Sequence, residues 1–149
     1  MDIEKLSLAC GPCPVGRGLA RAGDTWSMLI LRNAGLGHTR FDQFQKSLGI
    51  APNILTRRLA ALVEAGMLER RRYSAHPPRD EYLLTEAGRD YLPVLQALGA
   101  WAAKHFGGGP LSRPVEVETG RAITPVVVDA ATGIPLADLA ITTRLPDAP

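Results

Sequence analysis

Two cysteines sit three residues apart in "CGPC", Cys10 to Cys13. This is the spelling of a thiol-disulfide active site, in which a helix N-terminus lowers the pKa of the first thiol. Such a site needs a strand before it and a helix opening at the first cysteine. The segment ahead of Cys10, "MDIEKLSLA", gives no strand signal, and Pro14 suits a first helical position only after the second cysteine. The oxidoreductase reading fails on that context. As a zinc half-site the pair is also incomplete, because there is no second cysteine pair and His38, His76 and His105 lack ligand spacing. These histidines are expected at the surface or in packing roles. Gly107 to Gly109 precede Pro110 and mark a linker, not a phosphate-binding loop. With no acid-base pair or nucleophile triad in view, no enzyme, cofactor or metal is expected.

A second set of residues has different chemistry. In "PNILTRRLAALVEAG", residues 52 to 66, Leu55, Leu59, Leu62 and Val63 recur at helical spacing. That stripe leaves Asn53, Thr56, Arg57 and Ala60 on the opposite face. Asn can pair with adenine, and Arg with guanine, through two hydrogen bonds, each pair giving about 1–3 kcal/mol of discrimination. Asn53, Thr56 and Arg57 are therefore the candidate base readers. Arg58 lies toward the side of the helix, placed to touch phosphate or to pair with an acid of the protein.

Several elements must hold that face in place. Pro14 starts a short helix ending at Arg21 or Ala22, with Gly23 as its stop. Asp24 caps "DTWSMLILRNAG", with Trp26, Leu29 and Ile30 on one side. Thr39 is the expected cap of "TRFDQFQKSLG", and Pro52 opens the leucine-striped helix after the break at "GIAP". Two short helices joined by a tight glycine turn make a helix-turn-helix pattern. "MLERRRYS" and "EYLLT" alternate as strands around the proline-rich turn "AHPPRD", so residues 67 to 85 read as a hairpin. A hairpin directly after such a helix is a wing. It puts Arg70 and Arg72 on one strand face, Arg71 on the other, and Arg79 at the tip of the turn, suited to phosphate or minor-groove contact. Arg40, at the start of the preceding helix, is placed to hold the DNA backbone. Thr85 caps a long last helix that Pro93 kinks without ending.

Beyond "GGGPLSRP" the chain changes character. "VEVET", "ITPVVVDA" and "DLAITTRL" are three candidate short strands, with turns at Gly120 and at 131 to 133. The organisation expected is a winged helix-turn-helix domain over 1–106, a linker over 107–114 and a small β-rich appendage over 115–149. The fold class is mainly α with small β.

Charge follows the same division. Residues 32 to 79 hold nine Lys or Arg against three acids, a local +6, whereas residues 115 to 149 come to −3. Clustered positive charge suits a polyanion, because each neutralised phosphate releases counterions. At 46% apolar and 21% charged residues, the composition is that of a soluble globular chain. No apolar run approaches the roughly 20 residues that span a bilayer. The acidic start has no secretory pattern, which places the expected site of action in the cytoplasm, away from any membrane.

"CPV", then "GDTWSMLILRNAG" through "LVEAGMLERR", then "PPRDEYLLTEAGRDYLPVLQALGAW" together resemble the HxlR-type family of bacterial winged-helix transcriptional regulators, related to the MarR group. The resemblance covers roughly residues 13 to 105. It implies a homodimer on a pseudo-palindromic double-stranded operator, with recognition helices reaching half-sites roughly 34 Å apart. It also implies that the segment before the first helix and the long last helix build the dimer interface. Here the last helix offers Tyr91, Leu95, Leu98, Trp101, Ala102 and Phe106. Cys13 matches the cysteine of the family's "CPV" motif, which in some members senses oxidants, quinones or other electrophiles. Cys10, three residues away, is a conceivable disulfide partner, and the alternative for Cys13 is a reduced, buried packing residue. Some relatives carry cysteines resembling a zinc ribbon near the appendage; "ETGRAITPVVVDAATGIPL" has none, and no metal is expected there. Two rival functions stand beside the regulator: a winged-helix protein-interaction module without DNA, and a thiol redox protein using "CGPC". The operator, the sign of regulation and any small-molecule effector are not written in the sequence.

Overall fold

A computed structural model describes residues 11–146. The chain divides into two compact units, Met1–Leu92 and Pro93–Pro149.

In the first unit, Pro14 opens helix α1, Pro14–Ala22, behind Cys13, whose Sγ accepts a hydrogen bond from the Gly16 amide at 3.4 Å. Gly23 stops the helix by donating to the Leu19 carbonyl. Helix α2, Thr25–Gly35, is capped as expected by Asp24, which accepts from the Ser27 amide at 2.9 Å. Of its expected stripe only Ile30 is fully buried, joined by Leu31, while Trp26 and Leu29 are half-buried.

Helix α3, Phe41–Leu48, begins one residue later than expected, with Arg40 rather than Thr39 at its N-cap. The Thr39 carbonyl accepts the Tyr82 amide at 2.7 Å, which draws Thr39 and Arg40 into an extended path. The Gln43 side chain turns back and accepts both amides, at 2.9 and 3.0 Å, so the two donors at the entry to the helix are satisfied. Gly49 takes a left-handed φ of 64°, where a side chain would be strained, and Ile50 plugs the turn. Helix α4, Pro52–Glu64, then buries Leu55, Leu59 and Leu62 completely. Ile30, Leu31 and Phe44 fill the core with them.

Strands β1, Leu68–Ala75, and β2, Pro78–Leu84, pair antiparallel with Leu68 opposite Leu84 and Arg71 opposite Glu81. The turn is shorter than "AHPPRD" suggests: only His76 and Pro77 lie between the strands. An isolated bridge between Arg40 and Glu81 ties the hairpin to the entry of α3. Helix α5, Glu86–Phe106, runs through Pro93 unbroken. Thr85 caps it, accepting the Gly88 amide at 3.2 Å and donating to the Gly66 carbonyl at 2.6 Å.

The second unit corrects the sequence reading. None of the three expected strands forms among its described residues. Instead, one loop closes on a Val115–Ala122 bridge and another on a Val128–Pro135 bridge, followed by a 3₁₀ turn at Leu136–Asp138. The turns at Gly120 and Gly133 are where expected, both at φ 70°. β-propensity marks a residue that fits a pleated, half-buried surface. Pro125 interrupts the second of these runs and Pro135 stands at the second bridge; each removes a ladder donor, and pairing there does not extend beyond a single bridge. Among the described residues no helix is long and apolar enough to cross a membrane.

Candidate nucleic-acid interface

The leucine stripe of α4 fixes the helix's rotation, and the opposite face is open: Asn53, Thr56, Arg57 and Ala60 are all exposed. These are the residues the periodicity selected. Thr56 donates its hydroxyl proton to the Pro52 carbonyl at 2.9 Å, which leaves its oxygen as an acceptor. Arg57 makes no hydrogen bond or ion pair among the described residues. Its neighbour Arg58 is half-buried, with Nε 3.4 Å from Asp24 Oδ2, so of its two expected roles the pairing with an acid is the one present. Burial pushes the Asp24 carboxyl up, but the Ser27 hydrogen bonds and the Arg58 charge outweigh it and hold the group below the usual carboxylate range. One carboxylate therefore caps α2 and braces α4.

The wing arginines are less free than the sequence implied. Arg70 and Arg72 do share one face, but both bind Asp80: Arg70 Nε at 2.9 Å and Arg72 Nε at 3.1 Å. Those hydrogen bonds lower the Asp80 pKa and raise that of Arg70. On the other face Arg71 holds Glu81 Oε1 through Nε and Nη2, at 3.2 and 2.8 Å. Arg79 is exposed, but it is not at the tip of the turn. It is the second residue of β2, opposite Ser74. Arg40 stacks its guanidinium 4.4 Å from the centre of the Tyr73 ring, a cation–π contact that orients it over the wing. The sequence reading missed Asp80 and Glu81. The charged stretch from 32 to 79 ends immediately before these two acids. Turn length alone would not have found them: a two-residue turn sets Asp80 opposite Tyr73, and it is the register shift between Arg72 and Ser74 that moves Asp80 opposite Arg72 and Glu81 opposite Arg71.

Cys13 is exposed and free, not a buried packing residue; Cys10 lies outside the described residues. His38 is half-buried, its Nδ1 3.3 Å from Ser47 Oγ and its ring edge-on to Phe44. On α5, Tyr91 is engaged within its own unit, donating to the Ala22 carbonyl at 3.4 Å. Burial and the nearby Asp24 charge raise its pKa. Leu95 and Ala102 are half-buried, and Leu98, Trp101 and Phe106 are exposed.

Two short helices at a glycine turn, an open polar face on the second and a tethered hairpin form the winged helix-turn-helix arrangement. Residues 22–108 match the HxlR-like helix-turn-helix family. The chain belongs to that HxlR-like family. An uncharacterized HTH-type transcriptional regulator of Mycobacterium tuberculosis is 45% identical over 106 residues, covering 71% of this chain and 67% of the relative. The crystal structure of PA1607, a candidate transcription factor, superposes with a TM-score of 0.81 at 39% identity, over 93% of this chain and 99% of that one. The redox regulator HypR in its oxidized form is similar at a TM-score of 0.57 and 31% identity, over 62% of this chain and 97% of that one. Transcriptional regulation is the function on which family, fold and relatives agree for this HxlR-like chain.

Proposed function

We propose that this HxlR-like chain works as a homodimer that inserts α4 into successive major grooves of a pseudo-palindromic operator. In this reading Asn53, Thr56 and Arg57 face the base edges, Arg79 and Arg40 hold the backbone beside them, and the chain acts by binding rather than catalysis, in the cytoplasm. The observation that carries it is the open face of α4. The Arg57 side chain has no hydrogen-bond or ion-pair partner among the described residues, while Arg58 on the same helix is braced by Asp24.

Fluorescence anisotropy with the chain's own upstream DNA, titrated at several salt concentrations, tests it. Arg57→Ala is expected to weaken specific binding by about 1–3 kcal/mol and to relax preference at one base pair, whereas loss of a phosphate contact mainly flattens the salt slope, by about one unit. If Arg57→Ala and Arg79→Ala both bind like the parent, the DNA reading fails and the protein-interaction module takes its place.

A second reading, response to oxidants or electrophiles, is supported by the exposed Cys13 at the N-cap of α1. Mass spectrometry after diamide or quinone treatment, paired with operator binding, tests it. An unmodified thiol with unchanged binding removes it.

A further inference from the structure

The exposed apolar surface of this chain is concentrated at one end. Of the twenty large hydrophobic residues exposed in the described chain, sixteen lie at Val94 or beyond, and none of the described residues from 93 onward is buried. The described residues of the first unit include only four such exposed side chains, because its helices close over a core.

The backbone of this end is nonetheless specifically shaped. The Glu116 amide donates to the Arg121 carbonyl and the Ile123 amide to the Pro114 carbonyl, both at 2.9 Å; the Asp129 amide donates to the Ile134 carbonyl at 2.9 Å and the Leu136 amide to the Val127 carbonyl at 3.0 Å. Ordering each residue costs about 1–2 kcal/mol of backbone entropy, and no interior is present here to offset it. The segment also follows the course of a solved chain, since the PA1607 likeness spans 93% of the sequence. A shaped segment without a core gains its stability from a surface outside itself.

The size and chemistry of the patch indicate that surface. Together the sixteen exposed side chains present on the order of 1,000 Å² of apolar area, comparable to the roughly 800 Å² per partner of a standard interface. Obligate self-association is the class whose interfaces are most apolar. The seam on α5 supports the same partner, because Val94, Leu98 and Trp101 recur at spacings of four and three, the pattern by which one helix packs against another. The seam continues through Phe106, edge-on to Trp101 at 5.2 Å, into the loops. Residues 109–146 carry three Arg against four acids, a net −1, and so lack the positive charge that a nucleic-acid partner would call for.

We infer that residues 109–146 form a dimerisation arm, which in a symmetric pair covers the α5 seam and the arm of a second copy. This rests on the homodimer reading above and assigns the interface to a segment beyond the family's own span, residues 22–108.

Val117, 97% exposed, and Ile141, 64% exposed, are the sites for the test, since neither is part of a buried core within one copy. Sedimentation equilibrium of the full chain is compared with that of the double variant Val117→Asp, Ile141→Asp. Leu36→Asp, at an equally open apolar site in the first unit (74% exposed), is the control. The parent and the control are expected to dimerise alike, and the double variant to dissociate at least roughly 100-fold more readily, because two desolvated carboxylates per copy oppose the contact. In the parent, amide hydrogen exchange over residues 115–145 should be protected at concentrations that favour the dimer and lost on dilution. A parent dimer whose variant dissociates within about threefold of it, or exchange over 115–145 that ignores dilution, overturns the arm while leaving the homodimer in place. A parent that stays monomeric at about 100 μM overturns both.

Discussion

Asp80 governs how much of the wing's positive charge is available. It sits between Arg70 and Arg72, and Glu81 does the same for Arg71 across the sheet. Arg79 and Arg57 take part in no ion pair among the described residues. On the proposed DNA-binding reading, a carboxylate in that position competes with phosphate for two guanidinium groups and is expected to lower affinity for any duplex while leaving the proposed base contacts of α4 untouched. Asp80→Asn is therefore expected to strengthen binding to random-sequence DNA and to steepen the salt dependence of log K. Each freed arginine that reaches a phosphate adds about 0.9 to the slope, and the ratio of specific to non-specific affinity falls. Anisotropy titrations of operator and scrambled duplex across a salt series measure both quantities. An unchanged slope would mean that the arginines already leave Asp80 when DNA arrives.

The elements that were legible in the sequence are those whose signals are local. Pro52, Gly49 and Asp24 mark helix ends through their own backbone preferences, and the leucines of α4 report its buried face by spacing alone. What stayed hidden depends on pairing between distant segments. The bond from the Tyr82 amide to the Thr39 carbonyl shifted the start of α3, and the strands expected beyond Val115 lacked partners to pair with. Gly88 belongs to the hidden class. It lies in the first turn of α5, where helix propensity favours alanine by about 1 kcal/mol, yet it is buried, and a Cβ there would meet the Met67 carbonyl oxygen and Leu84 Cδ2. The α4–β1 turn thus docks directly on the α5 backbone, reinforced by the Thr85–Gly66 bond. Gly88→Ala is expected to destabilise the winged-helix unit by on the order of 1–3 kcal/mol, lowering Tm by about 4–8 °C for each kcal/mol. A circular dichroism melt in which the variant equals or exceeds the parent would show that the two backbones separate without penalty.

Among the described residues three carboxylates are held below their ordinary range, and each fastens a different part. Asp24 joins α2 to α4, Asp80 spans the wing, and Asp129, which accepts from the Thr132 hydroxyl at 2.7 Å, closes a loop of the second unit. For a group whose pKa is depressed by folding, the unfolded chain takes up the proton first as pH falls. Its contribution is therefore complete above the unfolded carboxylate value near 4 and is lost as pH drops through the folded value. Acid should loosen both units by the same mechanism, with Tm nearly level between about pH 7 and 5 and falling steeply below about pH 4. Asp24→Asn separates the cap from the charge, because asparagine caps a helix about as well as aspartate but exerts no pull on Arg58. The variant should melt below the parent at pH 7 and converge with it near pH 2. Parallel Tm curves for the two proteins down to that pH would assign Asp24 a capping role alone and remove the ionic brace on the recognition helix.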